Sequence, residues 1–189
     1  HGCLDYLSQI PGMTVLSPAS FAELRQMLRR AVLEMDGPVA VRYPRGGEDG
    51  YEGDCGAESV TVLRQGTDAA IVTYGILTQQ ALRAAALLAG EGVSARVVKL
   101  NRVAPLDSSG ICRALDGVKR IVAAEDQLRA GAVGERLSAL LLEQGAGTEK
   151  LVLRSVGTTL PSQGSTVELR HALGLDAEGI AQAVREVLA

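Results

Sequence analysis

The sequence predicts an α/β fold, a three-layer sandwich with helices on both faces of a mostly parallel sheet. Three observations predict it. Apolar runs such as Ala69–Tyr74 and Arg120–Ala124 read as buried strands, and they alternate with helical segments of 10 to 15 residues. Several helical segments start at a capping residue, Ser20, Asp107, Ser165 or Asp176, and two stop at a glycine, Gly37 or Gly90. The 189 residues are 47% hydrophobic and 22% charged, enough for one large domain or one and a half small ones with a real apolar core.

Taken in order, Met13–Leu16 reads as a short buried strand that runs into Ser17-Pro18-Ala19-Ser20. Ser20 and Glu23 have capping-box spacing for a helix. That helix carries Phe21, Leu24, Leu28, Ala31, Val32 and Met35, one apolar face expected to be buried, with Arg25, Arg29 and Arg30 on the solvated side. Gly37 stops it, and Pro38–Tyr43 reads as a second strand, completing a strand–helix–strand unit. Residues 45–56 then hold five glycines and four acids and read as a linker. A second unit begins near Ser59. Its strands are 69–74, 93–100, 120–124 and 151–155, and its helices begin near Leu77, Asp107 and Val133. Ser165 with Glu168 forms a second capping box, and Asp176 opens the last helix.

Composition excludes several classes. The net charge is −3, with no Trp and one Phe, so the chain lacks the basic surface and stacking rings of a nucleic-acid module. No apolar run reaches the roughly 18 residues that a membrane helix needs. Cys3, Cys55 and Cys112 form no CxxC pair and point to a reducing compartment. Two histidines, His1 and His171, are too few and too far apart for a His-built metal site. The chain opens on His1-Gly2-Cys3 without an initiator Met, and is expected to be a piece whose function needs residues beyond it.

Ligands of open α/β sheets sit at the carboxyl ends of strands. Three such ends carry polar or glycine-rich groups. In Arg42-Tyr43-Pro44-Arg45-Gly46-Gly47, proline stiffens the strand exit and Arg45 offers a planar fork suited to phosphate or carboxylate. The alternative for Arg45 is an ion pair with Glu48 or Asp49. Glu125 and Asp126, adjacent on a strand, point to opposite faces and so read as a helix cap or a contact rather than a shared-proton pair. Gly131–Gly134 lacks both phosphate-loop patterns and reads as a closely packed turn. His171 reads as a surface partner. His1 is either an active-site base or the stump of a longer loop.

Together, His1-Gly2-Cys3-Leu4-Asp5, Ile10-Pro11-Gly12-Met13, Asp36-Gly37-Pro38, Arg42-Tyr43-Pro44-Arg45-Gly46, Arg102–Asp107 and Gly174–Ile180 resemble the C-terminal part of the 1-deoxy-D-xylulose-5-phosphate synthase family. These are thiamine-diphosphate enzymes of the transketolase group. The resemblance implies that residues 1–47 are the end of a pyrimidine-binding α/β domain, 48–59 a linker and 60–189 a transketolase C-terminal domain. It implies a transferase condensing pyruvate, after decarboxylation, with D-glyceraldehyde 3-phosphate, feeding isoprenoid, thiamine and pyridoxal synthesis. Arg45 falls on the family's contact to the aldehyde phosphate, and His1 lies beside the substrate site; no residue here is certainly catalytic. A cytoplasmic homodimer is expected. Thiamine diphosphate and Mg2+ belong to the full-length enzyme, with neither expected on this piece alone. The nearest imitation of the family's metal-binding run is Gly53-Asp54-Cys55-Gly56, and the one asparagine, Asn101, stands 47 residues after Asp54. The stretch 156–165 departs from the family pattern. The alternatives are a 2-oxoacid dehydrogenase beta subunit and a non-catalytic α/β dimerisation or regulatory module.

Overall fold

The structure, a computed structural model, describes residues 3–44, 47–53, 58–159 and 163–189. In chain order its elements are α1 (Cys3–Ser8), β1 (Thr14–Leu16), α2 (Phe21–Leu33), β2 (Val39–Val41), β3 (Val60–Arg64), β4 (Ala69–Thr73), α3 (Thr78–Gly90), β5 (Ala95–Leu100) and β6 (Arg102–Ala104). They continue with α4 (Ser108–Leu115), β7 (Arg120–Ala124), α5 (Val133–Glu143), β8 (Lys150–Arg154), α6 (Thr166–Ala172) and α7 (Ala177–Leu188). Five strands form the main sheet in the order β3-β5-β4-β7-β8, parallel except for β3, which runs antiparallel to β5. A smaller sheet has the order β2-β1-β6, with β1 parallel to β2 and antiparallel to β6.

The pleat explains the three layers. Successive side chains of a strand point to opposite faces. On β4, Ala69 and Ile71 pack with Leu77, Leu88, Ile180 and Val184 of the α3–α7 layer. Ala70 and Val72 pack on the other face with Ile111, Leu115, Leu137 and Leu141 of α4 and α5. A strand covered on both sides has no polar face, which is why β4 reads as an unbroken apolar run. Leu4, Val15 and Val103 join the α4–α5 cluster, so the N-terminal segment shares a core with the main sheet.

Local signals place most elements. Ser165 and Glu168 form the full capping box of α6. Asp107 caps α4 through Gly110 N–H at 3.0 Å, and Asp176 caps α7 through Gly179 N–H at 2.9 Å. Two strands escaped the sequence reading, β3 and β6. Both are antiparallel strands that follow polar turns, so neither stands out as a buried run.

The face of α2 is the main correction. Phe21, Leu28 and Val32, expected inside, are 57%, 43% and 78% exposed, whereas Glu23 and Met27 are buried. Met27 packs with Leu16, Met35, Val39 and Val41, which turns the helix by its buried stripe toward the small sheet. Ser20 Oγ accepts from Glu23 N–H at 3.1 Å, but the Glu23 carboxylate reaches past the cap to Ala19 N–H at 2.7 Å and to Lys99. Periodicity finds an apolar stripe; it does not say which neighbour covers it.

The described part of the connecting segment is tied down. Asp49 takes bonds from Gln80 and, at 3.3 Å, from Arg170, while Gly53 accepts from Ser20 Oγ at 2.9 Å.

Candidate functional site

The carboxyl ends of β2, β4 and β7 meet where the small sheet abuts the large one. Arg42 leaves β2, Tyr74 leaves β4, and Glu125 with Asp126 leaves β7. Arg42 Nη2 donates to Asp126 Oδ1 at 2.8 Å, and the guanidinium carbon lies 5.7 Å from the centre of the Tyr74 ring. Cation–π contact and charge-assisted hydrogen bond thus act on one group. Burial opposes the charge on Arg42, but Asp126, by charge and hydrogen bond, with Glu125 behind it, outweighs burial and raises its pKa.

Behind Arg42 the chain of orientation continues. Tyr74 Oη donates to Glu125 Oε2 at 2.9 Å. Glu125 also accepts from Val133 N–H at 3.0 Å and Gly134 N–H at 2.9 Å, at the amino end of α5. A buried carboxylate is tolerated there because helix-terminal amides and the helix dipole favour negative charge. Burial, then the charges of Glu125 and Asp126, push the Tyr74 phenol well above its usual pKa, so it stays a neutral donor.

Glycines flank these groups, and Gly134 makes the Glu125 approach possible. A Cβ on Gly134 would lie 2.8 Å from Glu125 Oε1, and one on Gly75 would lie 2.8 Å from Ser17 Oγ and 3.6 Å from Arg42 Nη1. Beside the β2 exit runs an apolar groove of about 250 Å³, lined by Ser20, Phe21, Leu24, Tyr43, Pro44 and Ile76.

The sequence-derived candidates distribute as follows. Arg45 and His1 lie outside the described residues. The acids offered as the alternative partners of Arg45 are engaged elsewhere: Glu48 accepts from Phe21 N–H at 2.7 Å, and Asp49 binds Gln80 and Arg170. Glu125 and Asp126 diverge just past the end of β7, not on the strand as expected, one capping α5 and one holding Arg42. Of the Gly131–Gly134 turn, Ala132, Val133 and Gly134 are buried while Gly131 is exposed, and Glu125 already occupies the helix end it opens. Exposed His171 pairs with Asp176 at 2.7 Å. Asn101 is buried and bonds Glu58 O at 3.0 Å, Thr61 Oγ1 at 2.9 Å and Lys99, so its amide is spent on structure. Among the described residues no three carboxylate, imidazole or thiol side chains come together as a metal site. The described donors therefore do not make up the metal–diphosphate end of a thiamine cofactor, and Asp54, Cys55 and Gly56 of the run named above lie outside the described residues.

Two family models match. Residues 2–47 match the transketolase pyrimidine binding domain, and residues 58–180 match the transketolase C-terminal domain. The chain belongs to the transketolase family. Its curated relatives carry a more specific name. It is 37% identical over 196 residues to 1-deoxy-D-xylulose-5-phosphate synthase 1 of Geobacter sulfurreducens, covering 100% of this chain and 31% of that protein. It is 37% identical over 198 residues to the synthase of Heliobacterium modesticaldum, covering 99% of this chain and 30% of the relative. The synthase of Chlorobium phaeovibrioides is 33% identical over 192 residues, covering 98% and 30%. The chain thus spans about a third of the length of these curated relatives. Among solved structures it is similar to one titled split gene transketolase, inactive beta4 tetramer. The TM-score is 0.86 at 30% identity, over 99% of this chain and 60% of that one.

Within the transketolase frame, Arg42–Asp126 joins the segment matched to the pyrimidine binding domain to the C-terminal domain. Sequence reasoning missed this pair and the Tyr74 ring behind it. The only local signal was that Arg42 precedes the Tyr-Pro-Arg-Gly run; its partner stands 84 positions away.

Proposed function

We propose that this chain is the acceptor-aldehyde half-site and C-terminal domain of a 1-deoxy-D-xylulose-5-phosphate synthase, a transferase. Residues 1–47 serve as the end of the pyrimidine-binding domain, 48–59 as the connection and 60–189 as the C-terminal domain. The observation that carries this reading is the end-to-end similarity to proteins of that name. The overall reaction joins pyruvate to D-glyceraldehyde 3-phosphate with loss of carbon dioxide. Thiamine diphosphate, when bound, supplies the electron sink for that decarboxylation. In this reading its diphosphate and Mg2+ are assigned to residues of the full-length enzyme beyond this chain.

The part assigned to this chain is recognition. Arg42 is neutralised by Asp126, so it does not receive the substrate phosphate. Arg45, three residues on, is the candidate for that task, and His1 lies near the same site. The exposed Phe21, Val32 and Tyr43 supply an apolar surface for assembly, and a homodimer is the proposed state. Among the described residues no helix is long and apolar enough to cross a membrane, and the proposed location is the cytoplasm. The isolated chain is expected to fold without activity; the similar structure is itself titled inactive.

The test is carbon dioxide release from labelled pyruvate by the full polypeptide encoded at this locus, purified with thiamine diphosphate and Mg2+. Release that depends on D-glyceraldehyde 3-phosphate supports the reading. Release that ignores the aldehyde, or turnover with a lipoyl acceptor instead, replaces it with the 2-oxoacid dehydrogenase alternative. No residues encoded upstream of His1 and no turnover would favour the non-catalytic module.

A further inference from the structure

We propose that Asp126 is a positioning residue. By holding Arg42 it sets the course of the chain leaving β2, and so lets the C-terminal domain govern affinity for the aldehyde phosphate. This rests on the synthase reading above.

Strand β2 is three residues long and sits at the edge of its sheet, paired on one side with β1. Arg42 N–H donates to Leu16 O at 2.8 Å, and then comes Pro44, which has no N–H to give. So short a strand fixes its exit weakly through the backbone alone. The side chain of Arg42 supplies the missing restraint. Its guanidinium lies between the Asp126 carboxylate and the Tyr74 ring. That ring is fixed by Glu125, and Glu125 by the first amides of α5. The tether therefore runs from a helix of the C-terminal domain to the residue that begins the Arg-Tyr-Pro-Arg run.

The pair is placed for orientation. Arg42 and Asp126 side chains are only 23% and 25% exposed, and a salt link of this kind loses much of its value if either member is neutralised. Gly75 borders the same guanidinium: a Cβ there would clash with Ser17 Oγ at 2.8 Å and would only touch Arg42 Nη1 at 3.6 Å.

The experiment compares Asp126→Asn, Asp126→Glu and Arg42→Lys in the full enzyme, with D-glyceraldehyde 3-phosphate and unphosphorylated D-glyceraldehyde as acceptors. Asp126→Asn is expected to raise KM for the phosphorylated aldehyde about tenfold, the scale of a small misplacement of a binding group. KM for pyruvate and for the unphosphorylated aldehyde should stay within about twofold, and Asp126→Glu should recover part of the loss. Equal losses for both aldehydes, or none, overturn the proposal. Hydrogen exchange at the Arg42, Tyr43 and Gly47 amides reads the tether without substrate. Faster exchange there in Asp126→Asn, with β4 and β7 unchanged, is expected, and unchanged exchange overturns the proposal even if the unsubstituted protein proves not to be a synthase. An unsubstituted enzyme without aldehyde-dependent carbon dioxide release defeats the synthase reading and, with it, the phosphate role given to Asp126.

Discussion

Glu23 of α2 and Lys99 of β5 form an ion pair 2.9 Å long with side chains 0% and 1% exposed. It joins the segment matched to the pyrimidine binding domain to the main sheet from inside. Lys99 also bonds Asn101 Oδ1, and Glu23 accepts from Ala19 N–H, so both charges carry further hydrogen bonds. Burying two charges is costly, and their removal from water is repaid only while both are present.

Lys99→Met should therefore destabilise the protein by about 3–5 kcal/mol, because it strands a buried carboxylate. Combining it with Glu23→Gln removes the uncompensated charge and should return much of that loss. Urea unfolding of the two single variants and the double variant measures the coupling. Simple addition of the two losses would show that the pair acts as two independent groups.

Gly75→Ala meets two obstacles at once. The residue has φ +57, and its new Cβ would fall 2.8 Å from Ser17 Oγ. The left-handed backbone alone costs an alanine roughly 1–2 kcal/mol, and the contact adds to it. A lowered unfolding midpoint is expected, and Ser17→Ala made together with Gly75→Ala should relieve part of it.

Asp107 predicts an acid-side dependence. Its carboxylate is held below the ordinary value first by Gly110 N–H, and further by Ser109, against the effect of burial. A depressed folded-state pKa means the contribution is present above the unfolded value of about 3.9 and is lost as pH falls through the folded one. Asp107→Asn keeps a capping oxygen but cannot titrate. Unfolding midpoints measured from pH 6 down to pH 2 should fall less steeply in this variant than in the parent.

Arg45→Ala tests the proposed phosphate contact directly. Losing a charge-assisted hydrogen bond costs about 1.5–3 kcal/mol, a rise of roughly tenfold to a hundredfold in KM for D-glyceraldehyde 3-phosphate. Steady-state kinetics with the unphosphorylated aldehyde should show little change. An equal KM for the phosphorylated aldehyde in both proteins would remove Arg45 from the site.

By itself the sequence determined the layered α/β plan and the caps at Asp107, Ser165 and Asp176. All of these follow from short-range physics: pleat alternation, helical period and the free amides at a helix start. It also carried the family resemblance, through runs of residues such as Arg42–Gly46. Only the tertiary structure decided that Glu23 turns inward while Phe21 and Val32 face out, that Asn101 is consumed by structure, and that Arg42 finds Asp126. Those outcomes depend on which strands become neighbours, and nothing within one helix or strand encodes the partner that long-range packing brings against it.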